Sequence, residues 1–246
     1  MSLMKQKDCS LCQKISEQKI ILQEGLVDVM RMRFDEQLQL LNLELVEMGS
    51  LCEQVIDATY RVLLVEDHEA AKEISKKDHE IDHKEREIES LCLKLLLQQQ
   101  PVARDLRQIS AALKMITDME RIGDQASDIA DIIGNYQVAA PPEDIPIGEM
   151  ATATMKMVKD SVDAFVNKDL KLAQELLDYD DVVDDLFIKI RAIIIEKLNA
   201  GSTQGEYLMD LFTIAKYYER IGDHATNIAE WVEFSITGVH KGEEKE

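Results

Sequence analysis

The chain has 246 residues, 48 of them Asp or Glu and 28 Lys or Arg, which gives a formal charge of −20. A surface of that sign repels phosphate backbones and anionic lipid headgroups, so nucleic-acid binding through a basic patch is excluded. Hydrophobic residues make up 46% and charged residues 31%, with only 10 glycines and 4 prolines, a composition that indicates a folded all-α protein and not a disordered acidic tail.

Residues 1–29 read as an N-terminal extension of mixed polar and apolar character, able to form a loose helix. It holds Cys9-x-x-Cys12, but no second pair or nearby histidine completes a zinc site, so the motif reads as structural or incidental. With Cys52 and Cys92 these make four cysteines, too few in this length for a disulfide framework. The sequence Gln23-Glu24-Gly25 upstream of Met30 suggests a native start at Met30 or Met32. No secretory signal pattern and no apolar run of about 18 residues is present, and a cytoplasmic location is the expectation.

Residues 30–136 read as three helices. Leu38, Leu41, Leu45, Met48, Cys52 and Val55 recur at helical spacing and predict a helix over Phe34–Leu64. After a polar turn at Glu66-Asp67-His68, a second helix is expected from Ala70 to Gln99. A third follows from Pro101 to about Gly134, since proline is tolerated in a first turn. Residues 137–147 form a linker in which Pro141, Pro142 and Pro146 forbid a continuous helix. Residues 148–236 repeat the pattern: a helix over Gly148–Val166, a turn at Asn167-Lys168-Asp169, a helix over Leu170–Leu198, a Gly201/Gly205 turn, and a last helix ending near Ser235. Residues 237–246 read as a frayed tail. The expected architecture is two tandem, pseudo-symmetric three-helix bundles, six helices in all.

The repeat is carried by acidic motifs. Glu120-Arg-Ile-Gly-Asp124 recurs as Glu219-Arg-Ile-Gly-Asp223, and the upstream pair Asp78/Asp82 recurs as Asp180/Asp184. Each is an i, i+4 pair whose β-carbons lie about 6 Å apart on one helix face. The first two pairs flank Pro101 symmetrically, and the second two flank the Gly201-Ser202 turn in the same way. Residues equidistant from the tip of an antiparallel hairpin lie level, so each half gathers four carboxylates at one height, roughly 30 Å from the tip. Uncompensated, they would repel one another or take up protons. A shared cation removes that cost. Carboxylate oxygens suit Fe(III), Mn(II), Mg(II), Ca(II) or, less selectively, Zn(II), and the spacing suits several bridged ions better than one.

The apolar residues Met115, Met119, Ile122, Ala126, Ile129 and Ile133 occupy the opposite face of their helix, so the cations should sit outside the bundle. That separates the chain from ferritin-type di-iron proteins, whose ligands point into the core and include Glu-x-x-His, absent from these pairs. Gly123 and Gly222 each cost about 1 kcal/mol inside a helix relative to alanine, and read either as room for the cations or as close helix packing. Arg121 and Arg220 read as ion-pair partners of neighbouring acids. His79, His83 and His224 read as solvated helix residues. Asp128, Asn227 and Glu53 are candidate outer ligands.

On these residues the chain resembles the PhoU family of phosphate-uptake regulators, over about Met32 to Trp231. The duplicated E-R-I-G-D preceded by Asp-x3-Asp carries the resemblance, with Met32-Arg33-Phe34-Asp35, Gly49–Glu53 and Ala103-Arg104-Asp105-Leu106-Arg107 in support. It implies multinuclear iron or zinc clusters on Asp78, Asp82, Glu120, Asp124, Asp180, Asp184, Glu219 and Asp223. It further implies a cytoplasmic, non-enzymatic regulator, expected as a homodimer, that restrains a phosphate ABC transporter and keeps a phosphate-sensing histidine kinase repressing. Two other readings stay open: a phosphate-ester hydrolase using bridging cations to activate water, and a metal-free helical adaptor whose acids are solvated.

Overall fold

The computed structural model describes residues 10–75, 78–98 and 101–239, with side chains from residue 31 onward apart from Asp78 and Gln98. All regular elements among the described residues are helices: α1 (Ser10–Val65), α2 (His68–Ile74), α3 (Asp78–Gln98), α4 (Ala103–Tyr136), α5 (Ile147–Asn167), α6 (Leu170–Asn199) and α7 (Gly205–Thr237). None of them is long and apolar enough to cross a membrane.

The chain divides into two compact units, one ending at Leu40 and the other beginning at Leu41. In the first, α1 is already helical at Ser10, well before the predicted Phe34. Arg31 pairs with Asp35 one turn on, at 3.1 Å, and its guanidinium lies over the Phe34 ring. Cys9 and the side chain of Cys12 fall outside the described residues, and the Cys-x-x-Cys reading with them.

In the second unit, Leu41, Leu45, Met48, Cys52, Ile56, Thr59 and Leu63 follow one another in steps of three and four along α1, and all are buried. Such a stripe is why this stretch is a helix: burying each large apolar side chain contributes about 1.5–3 kcal/mol. The turns that end α1 and α5 are built alike. Glu66 and Lys168 adopt φ of 56° and 54°, in the left-handed region. The next residue in each case, Asp67 or Asp169, caps the following helix by accepting from the backbone N–H of Ala70 or Leu172, both at 3.0 Å.

The predicted helix from Ala70 to Gln99 is two helices, α2 and α3. At the end of α2 the Ser75 hydroxyl donates to the Lys72 carbonyl at 3.2 Å. Its counterpart α6 runs unbroken from Leu170 to Asn199. At the start of α4, Asp105 accepts from the Val102 N–H at 3.2 Å.

α4 and α7 pack together at the centre, α3 lies on α4, and α5 and α6 lie on α7. Tyr218 of α7 is fully buried, with its hydroxyl 3.3 Å from Thr59 Oγ1 of α1. Lys84 joins α3 to α1 through Glu44 and Glu47, both at 2.9 Å. Hydrogen bonds to Glu47 and Glu44 hold its ammonium well above the ordinary lysine range.

Polar contacts cross between α4 and α7. Asp118 Oδ1 accepts from Asn227 Nδ2 at 3.1 Å and lies 2.9 Å from His224 Nδ1. Tyr217 lies close enough to Asp128 for each to act on the other's titration, a pairing from the other direction. In repeat numbering Tyr217 stands where Asp118 does, and Asn227 where Asp128 does, so the two contacts are pseudo-symmetry mates. His224 is therefore not the solvated residue expected from sequence. Asn227 is engaged with Asp118 across this contact, while Asp128 lies within electrostatic reach of Asp124 and Asp131. Glu53 also departs from expectation: the charged groups that act on its carboxyl are Lys159, Asp163 and Asp160 of α5, not the acids of α3 and α4.

Candidate metal centre

Two close helix approaches level the carboxylates. A Cβ placed on Gly123 would stand 2.8 Å from Ile81 Cδ1 and 3.3 Å from Ile81 Cγ2. One placed on Gly222 would stand 3.2 Å from Val183 Cγ1. Ile81 immediately precedes Asp82, Val183 immediately precedes Asp184, and each glycine lies between the Glu and Asp of its E-R-I-G-D motif. Close helix packing is thus what the glycines provide. Without a side chain there, α3 and α6 sit near enough to α4 and α7 for the acidic pairs to face one another.

In the first repeat Asp82, Glu120 and Asp124 each offer a carboxylate oxygen, all within 4.8 Å of one another. The Asp78 side chain lies outside the described residues, so its predicted place in this group has no geometry here. All three described carboxylates are half-buried. Burial first, then the neighbouring Asp124 charge, pushes the Glu120 carboxyl above its ordinary value; Arg121 opposes this, and Glu85 and Asp82 add to it. Arg121 reaches Asp124 Oδ2 at 3.2 Å and Glu120 Oε2 at 3.5 Å, the ion pairing expected of it. Arg86 reaches Asp82 Oδ2 at 3.4 Å.

In the second repeat all four predicted carboxylates act on one another. Asp180 is pushed up by burial and then by Asp184, Asp181 and Glu219, against the nearby Thr226 hydroxyl, which pulls it down while itself donating to the Gly222 carbonyl at 3.1 Å. Asp223 is pushed up by burial, then Glu219 and Asp180, and Asp184 by burial, then Glu219 and Asp181. Lys216 is bonded to Glu219 and is the cation that tempers both. Asp180, Asp181, Asp184, Asp185, Glu219 and Asp223 thus gather around a single lysine. The first repeat has Asp82, Glu85, Glu120 and Asp124 with two arginines.

Sequence reasoning missed Glu85, Asp181 and Asp185; Glu85 lies one turn beyond Asp82, a spacing that could have found it. It also missed Thr226. Its repeat counterpart, Ser127, is buried with a hydroxyl that has no hydrogen-bond partner among the described residues. The donor set fits a metal: hard carboxylate oxygens, mutually repelling, half-buried, and close enough for one cation at about 2.3–2.6 Å or for smaller bridged ions.

A duplicated helical repeat that gathers acidic side chains on each hairpin, with Asp82, Glu120 and Asp124 close enough to share one cation, defines an all-α class of protein. A profile of the PhoU domain matches residues 45–133 and 147–232, once per repeat. The chain belongs to the PhoU family. It is 37% identical over 207 residues to the "Phosphate-specific transport system accessory protein PhoU homolog" of Clostridium acetobutylicum, covering 83% of this chain and 94% of that protein. It is also 37% identical over 209 residues to the homolog of the same name from Zymomonas mobilis, covering 83% and 87%. Among solved structures, PhoU from Pseudomonas aeruginosa superposes with a TM-score of 0.77 at 29% identity, over 84% of this chain and all of that one.

Proposed function

We propose that this chain is a metal-binding accessory regulator of phosphate uptake. It restrains a phosphate ABC transporter and holds a phosphate-sensing histidine kinase in its repressing state, acting in the cytoplasm as a homodimer and meeting the membrane only through partners. Family membership and the names of the relatives support the transport role. The observation that carries the metal reading is the duplicated set of facing acidic pairs, each levelled by a glycine contact. In this reading Asp82, Glu120 and Asp124, with Asp78, hold one multinuclear cluster, and Asp180, Asp184, Glu219 and Asp223 hold the other. Fe(III) or Zn(II) is the leading occupant, with Mn(II) or Mg(II) behind. Bound cations supply charge neutralisation; the protein supplies hairpins of fixed register and an outer face for partners. No residue acts as a catalyst.

The test is the double variant Glu120→Gln/Asp124→Asn, expressed in place of the native copy. Metal content, read by elemental mass spectrometry, should fall by about half, since one of the two duplicated sites is disabled. A phosphate-starvation reporter should become active in high phosphate. Unchanged metal content overturns the ligand assignment, and unchanged repression overturns the regulatory one. Hydrolysis of a phosphate ester by metal-loaded protein, lost in Asp223→Ala, would establish the hydrolase reading instead.

A further inference from the structure

A second site of opposite charge lies away from the acidic clusters, where the start of α4 meets the ends of α5 and α7. There a cavity of roughly 370 Å³ is lined by Arg104, Arg107, Gln108, Phe165, Lys168 and Ile236, together with Ser235. Three cations converging in a chain of charge −20 call for an explanation. Arg107 Nε is buried and has no hydrogen-bond partner among the described residues. Among the described residues, no ion pair engages Arg104, Arg107 or Lys168.

The carboxylate beside them, Asp105, is buried and accepts from the Val102 N–H. The Lys168 ammonium is pulled below its ordinary value by burial first and by Arg104 second, against Asp105. Gln108 is buried and held by Asn42 Oδ1 at 3.4 Å. Gly238, at φ +78°, brings the chain close over the Arg107 guanidinium; a Cβ there would stand 3.5 Å from Nε.

We propose that this cavity binds a phosphate-class oxyanion: inorganic phosphate, or the phosphate group of a small ester. Two guanidinium forks match the oxygens of a tetrahedral dianion, and a lysine beside them acts as a point charge. A single carboxylate carries one charge and would leave the cluster under-compensated. Phe165 and Ile236 form the apolar part of its wall. The site draws on none of the eight acidic residues, so it stands or falls independently of the metal reading.

The test is calorimetric titration of the full chain with inorganic phosphate, and separately with glycerol 3-phosphate, in excess chelator. One saturable site is expected, weakened about tenfold or more in Arg104→Gln and in Arg107→Gln. The same titration should be unchanged in Glu120→Gln/Asp124→Asn. Should the half-buried Arg107 variant fold poorly by circular dichroism, Arg104→Gln and Lys168→Gln, at exposed positions, carry the test. Binding of the ester alone identifies an ester as the occupant and upholds the site. Absence of saturable binding in chelator, equal binding by Arg104→Gln and Lys168→Gln, or equal displacement by acetate overturns it.

Discussion

Replacing Gly123 by alanine tests the close approach of α3 and α4 that brings the acidic pairs level. In an open helix the change would stabilise the protein by about 1 kcal/mol through helix propensity. Here the new methyl meets Ile81 Cδ1 at 2.8 Å and Cγ2 at 3.3 Å, and Ile81 is buried. Overpacking of that kind costs about 1–3 kcal/mol, so the net change should be a loss of about 0–2 kcal/mol. Trimming Ile81 to valine removes Cδ1. Alone it should cost about 0.5–1.5 kcal/mol, but in the alanine background close to nothing, leaving a coupling of about 1 kcal/mol. Urea unfolding of the four proteins at constant m-value gives these numbers directly. Stabilisation by Gly123→Ala of about 1 kcal/mol, with strictly additive effects, would refute the helix contact and with it the levelling of the carboxylates. Gly222→Ala, whose nearest contact is 3.2 Å to Val183 Cγ1, should lie closer to neutral.

Glu120, Asp180, Asp184 and Asp223 have carboxyl groups raised above their ordinary values, so folding favours their protonated forms. Their contribution to stability is full below the unfolded-state carboxylate range and is lost as pH rises through the raised values. Metal-free protein should therefore melt at a higher temperature as pH falls through those raised values toward the ordinary carboxylate range at about 4, and Asp180→Asn/Asp184→Asn should flatten that slope. A slope of opposite sign would contradict the clustering. Asp118→Ala strands the His224 and Asn227 donors at the α4–α7 contact and should cost about 1–3 kcal/mol in urea unfolding; a cost near zero would show that the bridge is not formed. Cys52 and Cys92 are buried, and burial pushes both thiols up to about 12. In a Cys9→Ser/Cys12→Ser background, neither should react with an aromatic disulfide reagent until the protein is unfolded; rapid labelling at neutral pH would contradict their burial.

Much of the fold was legible because the periodicity is strong and the repeat is marked twice. The symmetric placement of the acidic pairs about Pro101 and about Gly201-Ser202 anticipated a grouping that coordinates give directly for Asp82, Glu120 and Asp124. What was lost has physical causes. A helical face can be read from spacing, but which neighbour that face meets cannot, so spacing places His224 in solvent and Asn227 on the acidic stripe, whereas both reach across to Asp118. The break after Ile74 has no signature in the sequence, since Ser75 and the residues around it are compatible with a continuing helix. The basic cavity was hidden because Lys168 is distant in sequence from Arg104 and Arg107, and because the overall acidity masks a local excess of positive charge.

Anomalous X-ray scattering at the iron and zinc edges, from crystals of protein purified without chelator, tests the central claim most directly. The account predicts anomalous peaks beside Asp82, Glu120 and Asp124 and beside Asp180, Asp184, Glu219 and Asp223. Carboxylates engaged only by Arg86, Arg121 and Lys216, with no anomalous density at either hairpin, would contradict it.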